Sequence, residues 1–319
     1  MPLRAVIIAT GSYLPERIVT NADMERMVET SDEWIRTRTG ITQRHIAADN
    51  EFTSDLAYKA GERALQNAGI DRNSIDLVLV ATGTPDYSMP STATLVQHKL
   101  GISGGFAFDI AAACSGFVYG LTLVKSLIES GQIKRALLIG AETMSRIVDW
   151  EDRTTCILFG DGAGAVVIEA QDSNRGILAA ALASDGAETE ILRTNGGVSR
   201  TKTAGALMMA GQEVFRHGVE KMAQAAEDLL AQQGIALQDV DWFVPHQANM
   251  RMVQSIAKKI KVAPEKFLIT LDKHANTSAA SIPLALDAGV KEGKLKAGHK
   301  VVTPALGAGL TWGCCIIDW

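Results

Sequence analysis

The stretch Asp109-Ile-Ala-Ala-Ala-Cys-Ser-Gly-Phe117 places a cysteine where an apolar strand turns into a helix. Residues Gly105–Asp109 read as the end of a buried strand, and from Ser115 the run GFVYGLTLVKSLIES has apolar residues at helical spacing. Cys114 thus lies at a strand-to-helix corner, facing the positive end of the helix dipole, a position that is expected to lower a thiol pKa. Ala111, Ala112 and Ala113 leave room for a substrate to come close. Taken alone, the segment reads equally well as a small core cysteine.

Outward from this corner, strand-like and helix-like segments alternate along all 319 residues. In the first half, strands are predicted at Arg4–Thr10, Leu77–Ala81, Arg135–Gly140 and Ala163–Glu169. Helices are predicted at Ser54–Ala68 and Ser91–Leu100, and from Cys114 to about Ser130. The second half repeats the pattern. Strands are predicted at Ile177–Ala183, Trp242–Pro245, Lys300–Ala305 and Thr311–Ile317, and helices at Gln212–Gln233, Asn249–Ile260 and Ile282–Ala288. The reading is an α/β protein of two similar halves, 1–172 and 173–319, joined near Gln171–Gly176. Gly160, Gly162 and Gly164 superficially suggest a dinucleotide loop, but they lead into the strand AVVIE rather than a helix. They read as a glycine turn between strands or as a tight turn bracing an active-site floor.

Composition narrows the function classes. Hydrophobic residues make up 47% and the net charge is −5, which suits an ordered enzyme and argues against general nucleic-acid binding. Cys114, Cys156, Cys314 and Cys315 form neither a disulfide framework nor a metal-site spacing, so reduced thiols, no metal and no cofactor are expected. The segment MPLRAVIIATGSYLP passes from a short apolar run into glycine and proline, unlike a signal peptide, and no apolar run has membrane-spanning length. A soluble cytoplasmic protein is the expectation.

Two further corners carry polar residues. His246 in PHQANMRMV (Pro245–Val253) follows the apolar WFV run and precedes a helix. Asn276 in KHANTSAAS (Lys273–Ser281) lies in a third run of small and polar residues before a helix, although Asn276, Thr277 and Ser278 read equally as helix caps.

Taken together, these motifs resemble the condensing enzymes of the thiolase superfamily, and within them β-ketoacyl-acyl-carrier-protein (ACP) synthase III. The resemblance covers nearly the whole chain. It rests on SDEWIRTRTGI at Ser31–Ile41, AAACSGF, ILFGDGAG at Ile157–Gly164, PHQAN, ANTSAAS and the closing TWG at Thr311–Gly313. It implies a thiolase-like fold with α-β-α-β-α layers and a homodimer paired along the strand ending at Asp109. The implied reaction is decarboxylative condensation of a short acyl-CoA with malonyl-ACP.

In that scheme Cys114 accepts the acyl group as a thioester. His246 and Asn276 donate hydrogen bonds to the enolate left by decarboxylation, and the backbone N–H groups of Cys114 and Ala308 form the oxyanion hole. Ala308 stands in Gly307-Ala-Gly309, where many relatives are expected to have glycine only. The resemblance further implies that Trp34, Arg38 and Arg153 hold the CoA nucleotide. Arg216, Gln247, Arg251, Lys258 and Lys259, with Lys261 nearby, would meet the acidic carrier protein. Tyr87 and Met89 would shape the acyl pocket.

Related chemistries fit less well. Plant-type polyketide synthases are longer, while a specialised synthase III-like condensing enzyme of secondary metabolism with another primer is the alternative left open. A thiolase base is a poor match for Cys314 or Cys315, which lie in a strand-like run. A hydroxymethylglutaryl-CoA synthase needs a catalytic glutamate, and Glu142 is set aside because the family often has an acidic residue there. A noncatalytic CoA-binding protein would be expected to lack at least one of Cys114, His246 and Asn276.

Overall fold

The computed structural model describes Met1–Trp319, the whole chain. Two sheets organise it. The first has five strands in the order Leu3–Tyr13, Asp161–Asp172, Arg135–Thr143, Leu77–Ala81, Phe106–Ile110. The last three run parallel, and Asp161–Asp172 is antiparallel to both of its neighbours. The second has four strands, in the order Trp242–Phe243, Lys300–Gly307, Thr311–Asp318, Gly176–Ser184. Each sheet draws on one half of the sequence.

Two helices, Gly116–Glu129 and Ser281–Lys291, lie between the sheets. Both are apolar nearly all round, as burial on both faces requires: Phe117, Leu121, Val124 and Ile128 of one, and Ile282, Leu284 and Leu286 of the other, are buried. One 25-residue apolar cluster joins both helices to both sheets. Helix Thr53–Ala68 covers the outer face of the first sheet, stopped by Gly69 in the left-handed conformation. Helices Gly211–Gln232 and Met250–Lys259 cover the second. The result is the expected five-layered thiolase-like α-β-α-β-α arrangement. No helix is long and apolar enough to cross a membrane.

The strands of these two sheets and the long helices lie where hydrophobic periodicity puts them, within three residues at either end. The glycines of Gly160–Gly164 do something different from a plain turn. Phe159 pairs with Asn276, the strand starts at Asp161, and a Cβ on Gly164 would lie 2.6 Å from the Leu284 nitrogen. The glycines therefore let a central helix seat against this strand.

Candidate active site

Both central helices begin at the same cleft. The chain leaves the strand Phe106–Ile110, makes one tight turn over Ala113–Ser115 and enters helix Gly116–Glu129. Ala113 is held at φ +45°, a left-handed conformation that costs a non-glycine residue about 1–3 kcal/mol. The surroundings fix this turn. The Thr311 hydroxyl lies 2.7 Å from Ser115 Oγ and within hydrogen-bond reach of the Ala112 and Ala308 carbonyls. Gly307 comes so close that a Cβ there would be 2.8 Å from the Cys114 nitrogen.

The second central helix is preceded by the segment carrying Asn276. The Asn276 N–H donates to the Leu158 carbonyl and its own carbonyl accepts from the Gly160 N–H. Its side-chain Oδ1 accepts from the Ser278 N–H at 2.9 Å, which leaves the amide N–H donors for the cleft. His246 follows the strand Trp242–Phe243, with its N–H on the Pro304 carbonyl and Nδ1 2.9 Å from Ser281 Oγ. Its Nε2 is the ring nitrogen left for the cleft. Burial pushes the imidazole down to about 4, with a backbone contact at Ser278 opposing, so it is neutral at ordinary pH.

Cys114, His246 and Asn276 line one cleft of about 550 Å³, together with Glu142, Ser278 and Ala308. Trp34 and Arg38 line the same cleft. The guanidinium carbons of Arg38 and Arg153 lie 5.4 and 5.7 Å from the Trp34 ring centroid, an arrangement suited to an aromatic base and its phosphates. No group of His, Cys, Asp and Glu is placed to hold a metal ion, and all four cysteines are free. Cys314 and Cys315 are buried in the strand Thr311–Asp318 and do not line the cleft.

Two expectations, on the Cys114 thiol and on Gln247, need correction. The Cys114 thiol is not acidified by its helix; its pKa is pushed up to about 12. Burial is the main cause and the nearby Glu142 charge adds to it, while the Ser278 hydroxyl opposes both. Desolvation of a thiolate outweighs one helix end. Alkylation of Cys114 by iodoacetamide is therefore expected to rise about tenfold per pH unit between about pH 6 and pH 9. A plateau near neutrality would restore the acidified thiol.

Gln247 is buried, with Nε2 on the Leu268 carbonyl and Oε1 accepting from the Thr270 N–H, so its amide braces a loop and is not on a docking surface. Tyr87 and Met89 are 61% and 83% exposed and lie outside the cleft of the single chain, because no apolar face of the same chain covers their loop.

The basic residues divide. Arg251, Lys258 and Lys259 are exposed on helix Met250–Lys259, whose other face is buried through Met252, Val253 and Ile256. Arg216 is already paired with Glu213 at 2.7 Å.

Sequence reading missed the roles of Ser281, which engages His246, and Thr311, which locks the nucleophile turn, and it set aside Glu142, whose burial only the fold reveals. It also missed the cleft wall supplied by Leu192–Thr194 and Leu207–Met209.

Comparison with known proteins decides the family. Residues 108–186 match the model for 3-oxoacyl-[acyl-carrier-protein] synthase III, and residues 230–319 match the model for its C-terminal part. The β-ketoacyl-[acyl-carrier-protein] synthase III of Jannaschia sp. is 53% identical, with 100% of both chains covered. The chain belongs to the synthase III family.

The corresponding protein of Rhodospirillum centenum is likewise 53% identical over 100% of both chains. Among solved structures, the synthase III of Aquifex aeolicus VF5 superposes with a TM-score of 0.95 at 44% identity, covering 99% of this chain and 100% of that one. That of Pseudomonas aeruginosa PAO1 gives 0.94 at 42%, covering 99% and 98%. As a member of the synthase III family, the chain is an acyltransferase of the condensing-enzyme class.

Proposed function

We propose that this protein joins a short-chain acyl-CoA, by default acetyl-CoA, to malonyl-ACP, giving 3-oxoacyl-ACP, CO₂ and CoA at the start of fatty acid synthesis. The observation that carries this reading is the convergence of Cys114, His246 and Asn276 on one cleft. There the imidazole Nδ1 and the amide oxygen are already engaged, so the remaining nitrogens face the substrate.

Acyl-CoA enters with its nucleotide against Trp34, Arg38 and Arg153. The sulfur of Cys114 attacks the thioester carbonyl, the oxyanion is held by the backbone N–H groups of Cys114 and Ala308, and CoA leaves. Malonyl-ACP then docks through Arg251, Lys258 and Lys259, with a smaller contribution from Arg216. With Ser281 donating to Nδ1, the imidazole proton sits on Nε2. It and the Asn276 amide donate to the enolate oxygen as CO₂ departs, and neither group is an anion that would repel the carboxylate. The carbanion attacks the acyl-cysteine and frees the thiol.

The edge strand Phe106–Ile110 supports a homodimer. It ends the first sheet, and Phe106 is 46% exposed and stacked with Phe108. Tyr87 and Met89, uncovered in one chain, suit a pocket completed by the second.

Intact-protein mass after mixing with acetyl-, isobutyryl- and octanoyl-CoA tests the reading. One acyl increment is expected with the short primers, and none in Cys114→Ala. No adduct with any primer in folded protein would overturn the initiator assignment.

A further inference from the structure

Glu142 is wholly buried beside the nucleophile, and the reaction described above gives it no part. No cation neutralises it. Instead a collar of neutral donors surrounds the carboxylate. The Gly83 N–H lies 3.1 Å from each oxygen, the Thr84 and Thr82 hydroxyls reach Oε2 at 2.6 and 3.2 Å, and the Ser278 hydroxyl reaches Oε1 at 2.9 Å. Ser278 itself is held at φ +50°, with its N–H on Asn276 Oδ1, and lines the cleft beside Cys114. Its hydroxyl reaches Glu142 Oε1 and is also the side-chain hydrogen-bond partner of Cys114, so it bridges the carboxylate and the nucleophile.

A buried site of this kind tolerates one negative charge but resists two. Glu142 and the Cys114 thiolate are the two candidates for that charge, and a proton passed between them leaves the total unchanged. His246 is a poorer acceptor, because its protonation would put a new cation in a pocket that already holds the ring neutral.

We propose that Glu142, acting through the Ser278 hydroxyl, takes up the Cys114 thiol proton during acylation. The inference rests on the acyl-transfer reading above. As the sulfur–carbonyl bond forms, the S–H proton passes to Ser278 Oγ and the Ser278 proton passes to Glu142 Oε1. The carbonyl–sulfur bond to CoA then breaks with its electron pair on CoA. The CoA thiolate takes a proton from the Ser278 hydroxyl, which recovers its own from Glu142, leaving acyl-Cys114, an ionised Glu142 and neutral CoA thiol. Glu142 is a positioning residue in this scheme, since only Ser278 meets the reacting sulfur.

The two half-reactions separate this role from simple bracing. Rapid-quench mass spectrometry measures acyl-Cys114 formation from acetyl-CoA, and CO₂ release measures malonyl-ACP decarboxylation by His246 and Asn276. Glu142→Gln keeps the size and loses the base. It is expected to slow acylation by about 10²–10³-fold, at least about tenfold more than it slows decarboxylation, and Glu142→Asp should recover much of the loss.

Acylation of Glu142→Gln at the wild-type rate would overturn the proposal. Equal loss in both half-reactions would also overturn it, reducing Glu142 to a brace. If Glu142→Gln does not fold, Ser278→Ala must reproduce the acylation-selective loss, and loading like wild type would overturn the relay. Failure of the wild-type protein to load would instead defeat the acyl-transfer reading itself.

Discussion

Replacement of His246 by alanine is expected to reduce malonyl-ACP decarboxylation by about 10²–10³-fold while Cys114 continues to accept acyl groups from acyl-CoA. The expectation follows from how the ring is held. Nδ1 is engaged by Ser281 Oγ at 2.9 Å, and burial keeps the imidazole neutral, so Nε2 offers a hydrogen bond without bringing a charge. A developing enolate in a buried site depends heavily on each fixed donor. Acylation depends on other groups: the sulfur, the backbone N–H donors and the nucleotide contacts around Trp34. The two half-reactions should therefore separate cleanly. Equal loss of acyl loading, or decarboxylation within about tenfold of the wild-type rate, would remove His246 from the role given to it.

The second large effect is expected at a residue that touches no substrate. Gly140 lies in the strand Arg135–Thr143, and a Cβ there would stand 2.3 Å from the Ala279 carbonyl oxygen and 3.2 Å from the Ala280 Cα. Both obstacles are backbone, so no side chain swings away to relieve the clash. The segment that gives way is Ser278–Ala280, next to Asn276 and at the entrance to a central helix. Gly140→Ala is expected to destabilise the fold by about 1–3 kcal/mol, the range for overpacking, and to lower Tm by several degrees. Condensation should fall by about 10²-fold even in the folded fraction, because displacements near 1 Å at reacting groups have that effect. Gly186→Ala, where nothing lies within 4 Å of the added carbon, serves as the control. A Gly140→Ala enzyme with unchanged melting and turnover would show that the sheet and the Asn276 segment are not packed as described.

Much of this was legible in the residues because local pattern and tertiary role coincide. Leu77–Ala81 is a short apolar run bounded by turn residues, and it forms a strand with those limits. The segments around Cys114, His246 and Asn276 each put small or polar residues ahead of a helix start, and the fold gathers all three in one cleft. What escaped the sequence depends on distant parts of the chain. The donor collar of Glu142 is built from Thr82–Thr84 and Ser278, so nothing adjacent to Glu142 announces it. The helix end facing Cys114 is visible locally, whereas the desolvation that dominates its thiol is a property of the whole site. Gln247 has the polarity of a surface residue, yet its amide is spent on Leu268 and Thr270. The wall strands Leu192–Thr194 and Leu207–Met209 are three residues each, too short to leave a period.

Those short strands have a consequence for how the enzyme can diversify. Of the groups proposed for bond making, Cys114 and Asn276 stand at the feet of two helices shared by the main core, where nearly every change disturbs packing. Part of the facing wall comes from residues 185–210, a region of short irregular elements outside the sheets that define the layers. Heritable change can accumulate in that wall and alter what the cleft admits, while the chemistry stays fixed. A lineage can thus try new substrates at small risk to folding, and selection can act on the two properties almost independently.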